Sequence, residues 1–381
     1  MLINSILDND IYKFTQQMFV CQQFPNLEVE YKWILRTPVE FSDSFATKLI
    51  SNINAMGSLR LTDSEATFLK KKCYYFTPVY RDFLKGYAYD SSEVEVIYEP
   101  GKQHQFEICI RGPWYRTILW EVPIMAIISE MSNGELSPLY ELEKQNIEKL
   151  RIIHDNHLSV ADFGTRRRHS YDVHDKTLNI LKHGLVGTSN VHFAKKYNLT
   201  PTGTQAHEVY MVLSRLYGYK MATTMVLEKW VEVFQGSLGT ALPDTFTTDV
   251  FLKEFAMKYS KLFDGVRQDS GDPLVFANKI INHYEHLNID PKSKLIIFSD
   301  SLNLEKAVHI EKEVNKHIKT AYGIGTNFTN DTDVTPLNMV IKINAVKLND
   351  VWEPAIKLSD SPGKHTGDPD EIALCKQILK V

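Results

Sequence analysis

DGVRQDSGDPLVFANKII, residues 264–281, holds a short β-prone stretch, a polar turn and an amphipathic run in that order. Asp272 suits a helix N-cap because its side chain can accept from free backbone N–H groups. Pro273 suits the first helical turn, where its missing N–H costs nothing. The segment therefore reads as strand, turn, helix. The same plan occurs on both sides of it. HLSVADFGTRRRH (157–169) leads to a helix expected near 166–182, and GLVGTSNVHFAKKYN (184–198) repeats the layout. In EVYMVLSRLYG (208–218), Val209, Val212, Leu213 and Leu216 follow helical spacing, and Gly218 suits a C-cap. SLGTALPDTFTTDVFLKEF (237–255), KLIIFSDSLNLEKAVHI (294–310) and TAYGIGTNFTND (320–331) continue the series. Strand alternating with helix implies a parallel sheet. About six or seven such units closing on themselves give an irregular (β/α) barrel related to the TIM type, with an open doubly wound sheet as the alternative.

Outside this region the texture changes. VEYKWIL (29–35), SEVEVIYEP (92–100) and FEICIRGPW (106–114) read as strands, and they are not regularly interleaved with helices. The expected division is an α+β domain over residues 1–122, with the tail 345–381 packing back on it, and an α/β barrel over 123–344. Bulk properties agree with a globular protein. The chain has 381 residues, 43% of them hydrophobic and 24% charged. A net charge of −4 gives no basic excess of the kind nucleic-acid binders carry. No apolar run approaches the roughly 20 residues of a membrane helix, and the N-terminus lacks the layout of a signal peptide. Cys21, Cys73, Cys109 and Cys375 are scattered, without metal-ligand spacing, which suits a reducing cytoplasm.

In a barrel of this kind chemistry gathers where strands end. Arg267 and Asp269 lie two residues apart and so point to one face. An arginine there can grip a carboxylate or phosphate at two points. A structural ion pair is the plainer alternative. Gly323, Gly325 and Thr326 belong to a glycine-rich turn whose N–H groups can cradle a phosphate. Phe163 can stack on a flat ring, and Arg166 can hold a polyphosphate. Arg167 and Arg168 are expected on a solvated helix face. Asp244 and Asp300 each stand at a strand end, either as helix caps or as ligands of a ribose, a metal-bound water or a histidine. His207, in PTGTQAHEVY (201–210), is expected at the first turn of a helix beside a carboxylate, where a neutral imidazole is a nucleophile or a base.

ADFGTRRRHS, GTSNVHFA, GTQAHE, VRQDSGDP and GIGTNFTND, in this order, closely resemble the nicotinate phosphoribosyltransferases. That family stands with the nicotinamide and quinolinate phosphoribosyltransferases. The resemblance runs from LDNDIYKFTQQ (7–17) to KLSDSPGKHTG (357–367). It implies that nicotinate attacks the anomeric carbon of phosphoribosyl pyrophosphate (PRPP), giving nicotinate mononucleotide and pyrophosphate. It also implies Mg²⁺, and ATP hydrolysis coupled through a phosphohistidine at His207. Carried onto this chain, it puts Phe163 and Tyr12 on the two faces of the pyridine, with Tyr12 supplied by the neighbouring subunit of a homodimer. Arg267 meets the nicotinate carboxylate, and Asp269 and Asp300 hold the ribose. Gly323, Gly325 and Thr326 take the 5′-phosphate, and Arg166 the pyrophosphate. Lys357, Ser359 and Lys364 add phosphate contacts from the tail, and Arg36 reaches a neighbour's pyrophosphate. Ser189 carries no charge where a carboxylate would favour nicotinamide, so the acid is the expected substrate. The alternatives are a nicotinamide phosphoribosyltransferase and an inactive PRPP or nucleotide sensor.

Overall fold

The computed structural model describes residues 2–101, 105–134, 136, 139–361 and 364–381. The fold is mixed α/β, with a parallel and an antiparallel sheet. Its strands are β1 (Glu28–Leu35), β2 (Val94–Tyr98), β3 (Phe106–Pro113), β4 (Val160–Asp162), β5 (Leu185–Thr188), β6 (Thr240–Ala241), β7 (Gly265–Gln268), β8 (Leu295–Phe298), β9 (Lys319–Ile324), β10 (Met339–Leu348) and β11 (Val351–Pro354). Among the described residues no helix is long and apolar enough to cross a membrane.

Two compact units form. The first comprises residues 1–151, 162–203 and 325–342. In it β1 and β2 both pair antiparallel with β3, so that Tyr31 and Val94 each stand opposite Ile110. Val29, Tyr31 and Trp33 alternate into the core, as one-sided burial of a strand requires. The helices Ile11–Gln23 and Glu121–Asn133 are buried over most of their length. Glu121–Asn133 is largely apolar, whereas Ile11–Gln23 buries Lys13, Thr15, Gln16 and Gln17 among its apolar residues.

The second unit comprises residues 152–161, 204–324 and 343–381. Here β6, β7, β8 and β9 are parallel neighbours in that order. A helix follows each of the first three, at Thr248–Glu254, Pro273–His286 and Leu304–Val314. The opening motif folds as its residues dictate. Asp272 accepts from the N–H groups of Leu274 and Val275 at 2.9 and 2.8 Å, and Pro273 opens the helix. Gly265 is required by proximity, since a Cβ there would stand 1.9 Å from the carbonyl oxygen of Leu295 on the adjacent strand. The expected helix near 166–182 is shorter. Residues 165–167 form a single 3₁₀ turn, and the helix proper starts at Tyr171, capped by Ser170.

Compactness divides the chain at other points than sequence texture does, since residues 123–151 group with the first unit and 343–381 with the second. The tail is held by specific contacts. Arg215 bonds Glu353 at 2.7 Å and pairs with Glu371. Leu358 N–H donates to the Thr245 carbonyl at 2.8 Å, and Asp360 accepts from Thr248 N–H at 2.8 Å.

Candidate active site

His207 is the first residue of the helix His207–Tyr217, and Gly218 ends that helix with φ of 79°. The imidazole is gripped at both nitrogens. Nδ1 lies 2.9 Å from Thr245 Oγ1. Nε2 lies 2.9 Å from Asp269 Oδ2, 2.8 Å from Lys357 Nζ and 3.8 Å from Asp244 Oδ1. The carboxylates are themselves held. Asp244 is buried, and its Oδ2 accepts from Ser270 Oγ at 2.6 Å and from Lys357 Nζ at 3.1 Å. Asp269 receives Arg267 Nη2 at 3.2 Å and Ser299 Oγ at 3.1 Å. Arg267 Nη1 also donates to Thr204 Oγ1 at 2.9 Å.

The electrostatics follow from this packing. Burial would raise the Asp269 carboxyl, but Arg267, His207 and Lys357 outweigh it and hold the group well below its ordinary range. Asp244 is lowered in the same way: burial opposes ionisation, and His207 and Lys357 restore it. Burial and then Lys357 depress the His207 imidazole. A neutral imidazole with a lone pair can act as a nucleophile or a base. The ligand atoms of His207, Asp244 and Asp269 lie within 4.8 Å of one another. Such spacing alone could accept a metal ion. The ammonium of Lys357 already supplies a cation against Asp244, so this cluster does not fit a resident Mg²⁺.

The other expected residues of the second unit are less constrained. Asp300 is half-buried, accepts from Ser301 Oγ at 3.0 Å and has Lys364 Nζ at 4.0 Å. Neither Asp244 nor Asp300 caps a helix, because Thr247 and Asn303 do so. Ser359 is buried, while Pro362 and Gly363 of the same motif lie outside the described residues. Gly323 lies near the end of β9, while Gly325 and Thr326 belong to the first unit, at the start of the short helix Thr326–Thr329.

In the first unit a second cluster forms around Ser189. Its Oγ donates to Asp10 Oδ1 at 2.7 Å, and its carbonyl accepts from Ile11 N–H at 2.7 Å. Asp10 stands at the N-cap of the helix Ile11–Gln23 yet makes no side-chain cap, since its carboxyl is turned to Ser189. Burial raises this carboxyl, and Arg166 and Ser189 only partly offset the rise. Residue 189 itself is uncharged, and Asp10 is the carboxyl beside it. Tyr12 shares this neighbourhood. Burial pushes its hydroxyl up, with Arg166, Glu121 and Lys13 as charged neighbours. Its segment is bonded to Ser189 through the Ile11 N–H. Arg166 is half-exposed and pairs with Glu121 at 3.1 Å, and Lys13 reaches the same Glu121 at 2.5 Å.

Phe163 is carried by a rigid turn. Asp162 accepts from His174 Nε2 at 2.8 Å, Thr188 Oγ1 at 2.6 Å and Gly164 N–H at 2.9 Å. Gly164 has no room for a side chain, because a Cβ would stand 2.3 Å from Thr329. Arg168 is not solvated, contrary to the expectation for a helix-face arginine. It is fully buried and bonds both oxygens of Asp8, at 2.8 and 2.9 Å. A charge moved out of water needs such a partner. Arg167 has Asn330 Nδ2 on its carbonyl at 2.9 Å. Arg36 is exposed beyond β1, on a groove of about 490 Å³ lined also by Trp33 and Phe106. Sequence reasoning missed Asp10, Thr245 and the Asp162–His174 pair. Only Asp10 left a signal, two residues before Tyr12 in DNDIYKF.

In the second unit, parallel strand ends bring Arg267, the carboxylates Asp244 and Asp269 and a histidine of depressed pKa together, a polar site of the kind α/β enzymes build at strand ends. Two family models match the chain: the nicotinate phosphoribosyltransferase (NAPRTase) family over residues 158–381 and the NAPRTase N-terminal domain over residues 7–129. The nicotinate phosphoribosyltransferase of Desulforapulum autotrophicum is 48% identical over 389 residues, covering 100% of this chain and 99% of that protein. That of Chromohalobacter salexigens is 46% identical, covering 99% and 98%. The crystal structure of nicotinate phosphoribosyltransferase from Porphyromonas gingivalis superposes with a TM-score of 0.97 at 42% identity, covering 100% of both chains. The chain belongs to the nicotinate phosphoribosyltransferase family, and its activity is the transfer of a phosphoribosyl group to nicotinate in NAD biosynthesis.

Proposed function

We propose that this chain couples nicotinate mononucleotide formation to ATP hydrolysis through a phosphohistidine at His207. The pyridine nitrogen uses its lone pair to form a bond to C1 of the PRPP ribose. The C1–oxygen bond breaks, and its electron pair leaves with pyrophosphate. Sugar and leaving group both develop charge, so fixed charges and dipoles are the main source of acceleration. Phe163 and Tyr12 stack on the ring, and Ser189 faces it without a formal charge. Arg267 receives the nicotinate carboxylate. Asp269 and Asp300 accept from the ribose hydroxyls. Gly323, Gly325 and Thr326 receive the 5′-phosphate, and Arg166 the pyrophosphate. Asp244 is part of the catalytic set through its hold on Lys357 and its approach to His207. In the coupling step the γ-phosphoryl group leaves ADP and bonds to an imidazole nitrogen, and water later releases it as phosphate.

Mg²⁺ enters with ATP and PRPP, as the counter-ion of their phosphates. The protein acts as a homodimer with shared sites, in which Tyr12 of one subunit covers the pyridine held by Phe163 of the other. The observation that carries the coupling is the half-buried His207 held between Thr245 on one nitrogen and Asp269 and Lys357 on the other. The test is product formation from PRPP with nicotinate or nicotinamide, with and without ATP. Nicotinate mononucleotide should form faster with ATP, and ADP should appear with it. ATP consumption without any effect on product yield would overturn the coupling.

A further inference from the structure

We propose that Lys357 is a positioning residue that keeps His207 neutral and fixes which of its nitrogens carries the proton. The inference rests on His207 being the phosphoryl acceptor, and it concerns a residue that enters from the tail. Lys357 Nζ lies 2.8 Å from His207 Nε2. An ammonium has donors only. It can therefore bond Nε2 only when that nitrogen has no proton and offers its lone pair, in competition with Asp269 Oδ2, which at 2.9 Å would accept an Nε2–H. The remaining proton then sits on Nδ1, where Thr245 Oγ1 stands at 2.9 Å to accept it.

The charges around the ring agree. Asp244 and Asp269 bring two negative charges, and Arg267 and Lys357 bring two positive ones. With a neutral imidazole these four balance. Glu208 follows His207 on its own helix and is buried. Without Lys357 the two carboxylates near Nε2 would face one remaining cation. Protonation of the ring would then restore the balance, with Nε2–H donated to Asp269 at the 2.9 Å already present. An imidazolium has no lone pair to attack phosphorus. Lys357 thus prevents Asp269 and Asp244 from converting His207 into its inactive cation. Burial of the ring acts in the same direction. The ammonium also stands where a metal ion would have to approach Asp244, at 3.1 Å from Oδ2.

The tail delivers this residue by fixed contacts. Leu358 N–H bonds the Thr245 carbonyl at 2.8 Å, and Lys357 exchanges two hydrogen bonds with Thr366, both at 2.9 Å. Thr245 therefore meets His207 through its hydroxyl and the tail through its carbonyl.

The experiment is an NMR titration of the His207 ring in the full chain labelled with ¹⁵N-histidine, its signal assigned by its loss in His207→Gln. Wild type, Lys357→Met and Lys357→Arg are compared, with the pH profile of ATP-coupled synthesis measured alongside. Lys357→Met should raise the His207 midpoint by about one pH unit or more, the range for losing a neighbouring like charge. The acid limb of the coupled rate should move up with it. Lys357→Arg keeps the charge and should stay near wild type. Should Lys357→Met fail to fold, Lys357→Gln, uncharged but still a donor, gives the same comparison. An unchanged midpoint in the neutral variants, or an equal shift in Lys357→Arg, overturns the proposal. Failure of the acceptor reading shows separately, as ATP turnover that survives in His207→Gln while the titration shift persists.

Discussion

Ser189→Asp tests how the ring pocket chooses an acid over an amide. Ser189 Oγ is 2.7 Å from Asp10 Oδ1, and both side chains are buried. An aspartate at 189 sets two carboxyls within about 4 Å of each other, where two like charges repel by about 4 kcal/mol at an effective dielectric of 20. At 1.36 kcal/mol per unit, this moves one of the two pKa values up by about three units. The pair should therefore hold one shared proton and one negative charge, now spread onto position 189. Nicotinate brings its own carboxylate to this pocket and meets the same repulsion. Screening reduces the effect, so the expected loss in kcat/KM for nicotinate is on the order of 10²- to 10³-fold. Nicotinamide carries no charge and should lose less, so the ratio of the two substrates shifts toward the amide. The assay is steady-state kinetics with each substrate at saturating PRPP. Ser189→Asn is the control, similar in shape to the aspartate but uncharged, with an expected loss below about tenfold. Wild-type nicotinate kcat/KM in folded Ser189→Asp would refute the placement of residue 189. Equal losses in the Asp and Asn variants would refute the role of charge.

Three further outcomes follow from the same contacts. Asp8→Asn leaves the buried Arg168 guanidinium without its carboxylate and should cost about 3–5 kcal/mol, read as a lower denaturation midpoint. The Asp8 carboxyl is lowered in the folded chain, because burial raises it but Arg168 lowers it more. Its contribution is therefore present above the unfolded value of about 3.9 and is lost as pH falls through the lower folded value. Wild-type stability should decline more steeply than that of Asp8→Asn below about pH 4. Tyr12→Ala and Phe163→Ala should each raise the KM for nicotinate, and mixed dimers of the two variants should regain one intact pocket, as a Tyr12 supplied across the interface requires. A total absence of recovery, with mixed dimers shown to form, would place both residues in one subunit.

The strand–turn–helix units were legible because their signals are local. Asp272 and Pro273 adjoin the helix they start, and Gly218 adjoins the helix it ends. Arg267 and Asp269 were readable as a pair because two residues of strand return to the same face. What could not be read depends on distant partners. Asp8 lies 160 positions from Arg168, Asp10 lies 179 from Ser189, and Lys357 lies 150 from His207. Arg168 therefore looked, with Arg167, like a solvated arginine of TRRR, and nothing in its surroundings announces a bidentate carboxylate. The tail posed the same problem. Its hold on the second unit runs through Arg215, Thr245 and Thr248, and each contact joins segments more than a hundred residues apart. The resemblance carried roles onto numbered positions that local pattern alone could not assign.

The coupling through His207 is tested most directly by locating the phosphate. The folded protein is exposed briefly to ATP and Mg²⁺, and its peptides are analysed by mass spectrometry under neutral conditions. One acid-labile phosphate is expected on His207 and none on His169 or His192, because a phosphoramidate hydrolyses in acid while a phosphoserine does not. His207→Ala should retain some ATP-independent synthesis, since Arg267, Asp269 and the glycine turn are untouched, and should lose ATP turnover. A folded His207→Ala protein that still hydrolyses ATP in step with nicotinate mononucleotide formation would contradict the account.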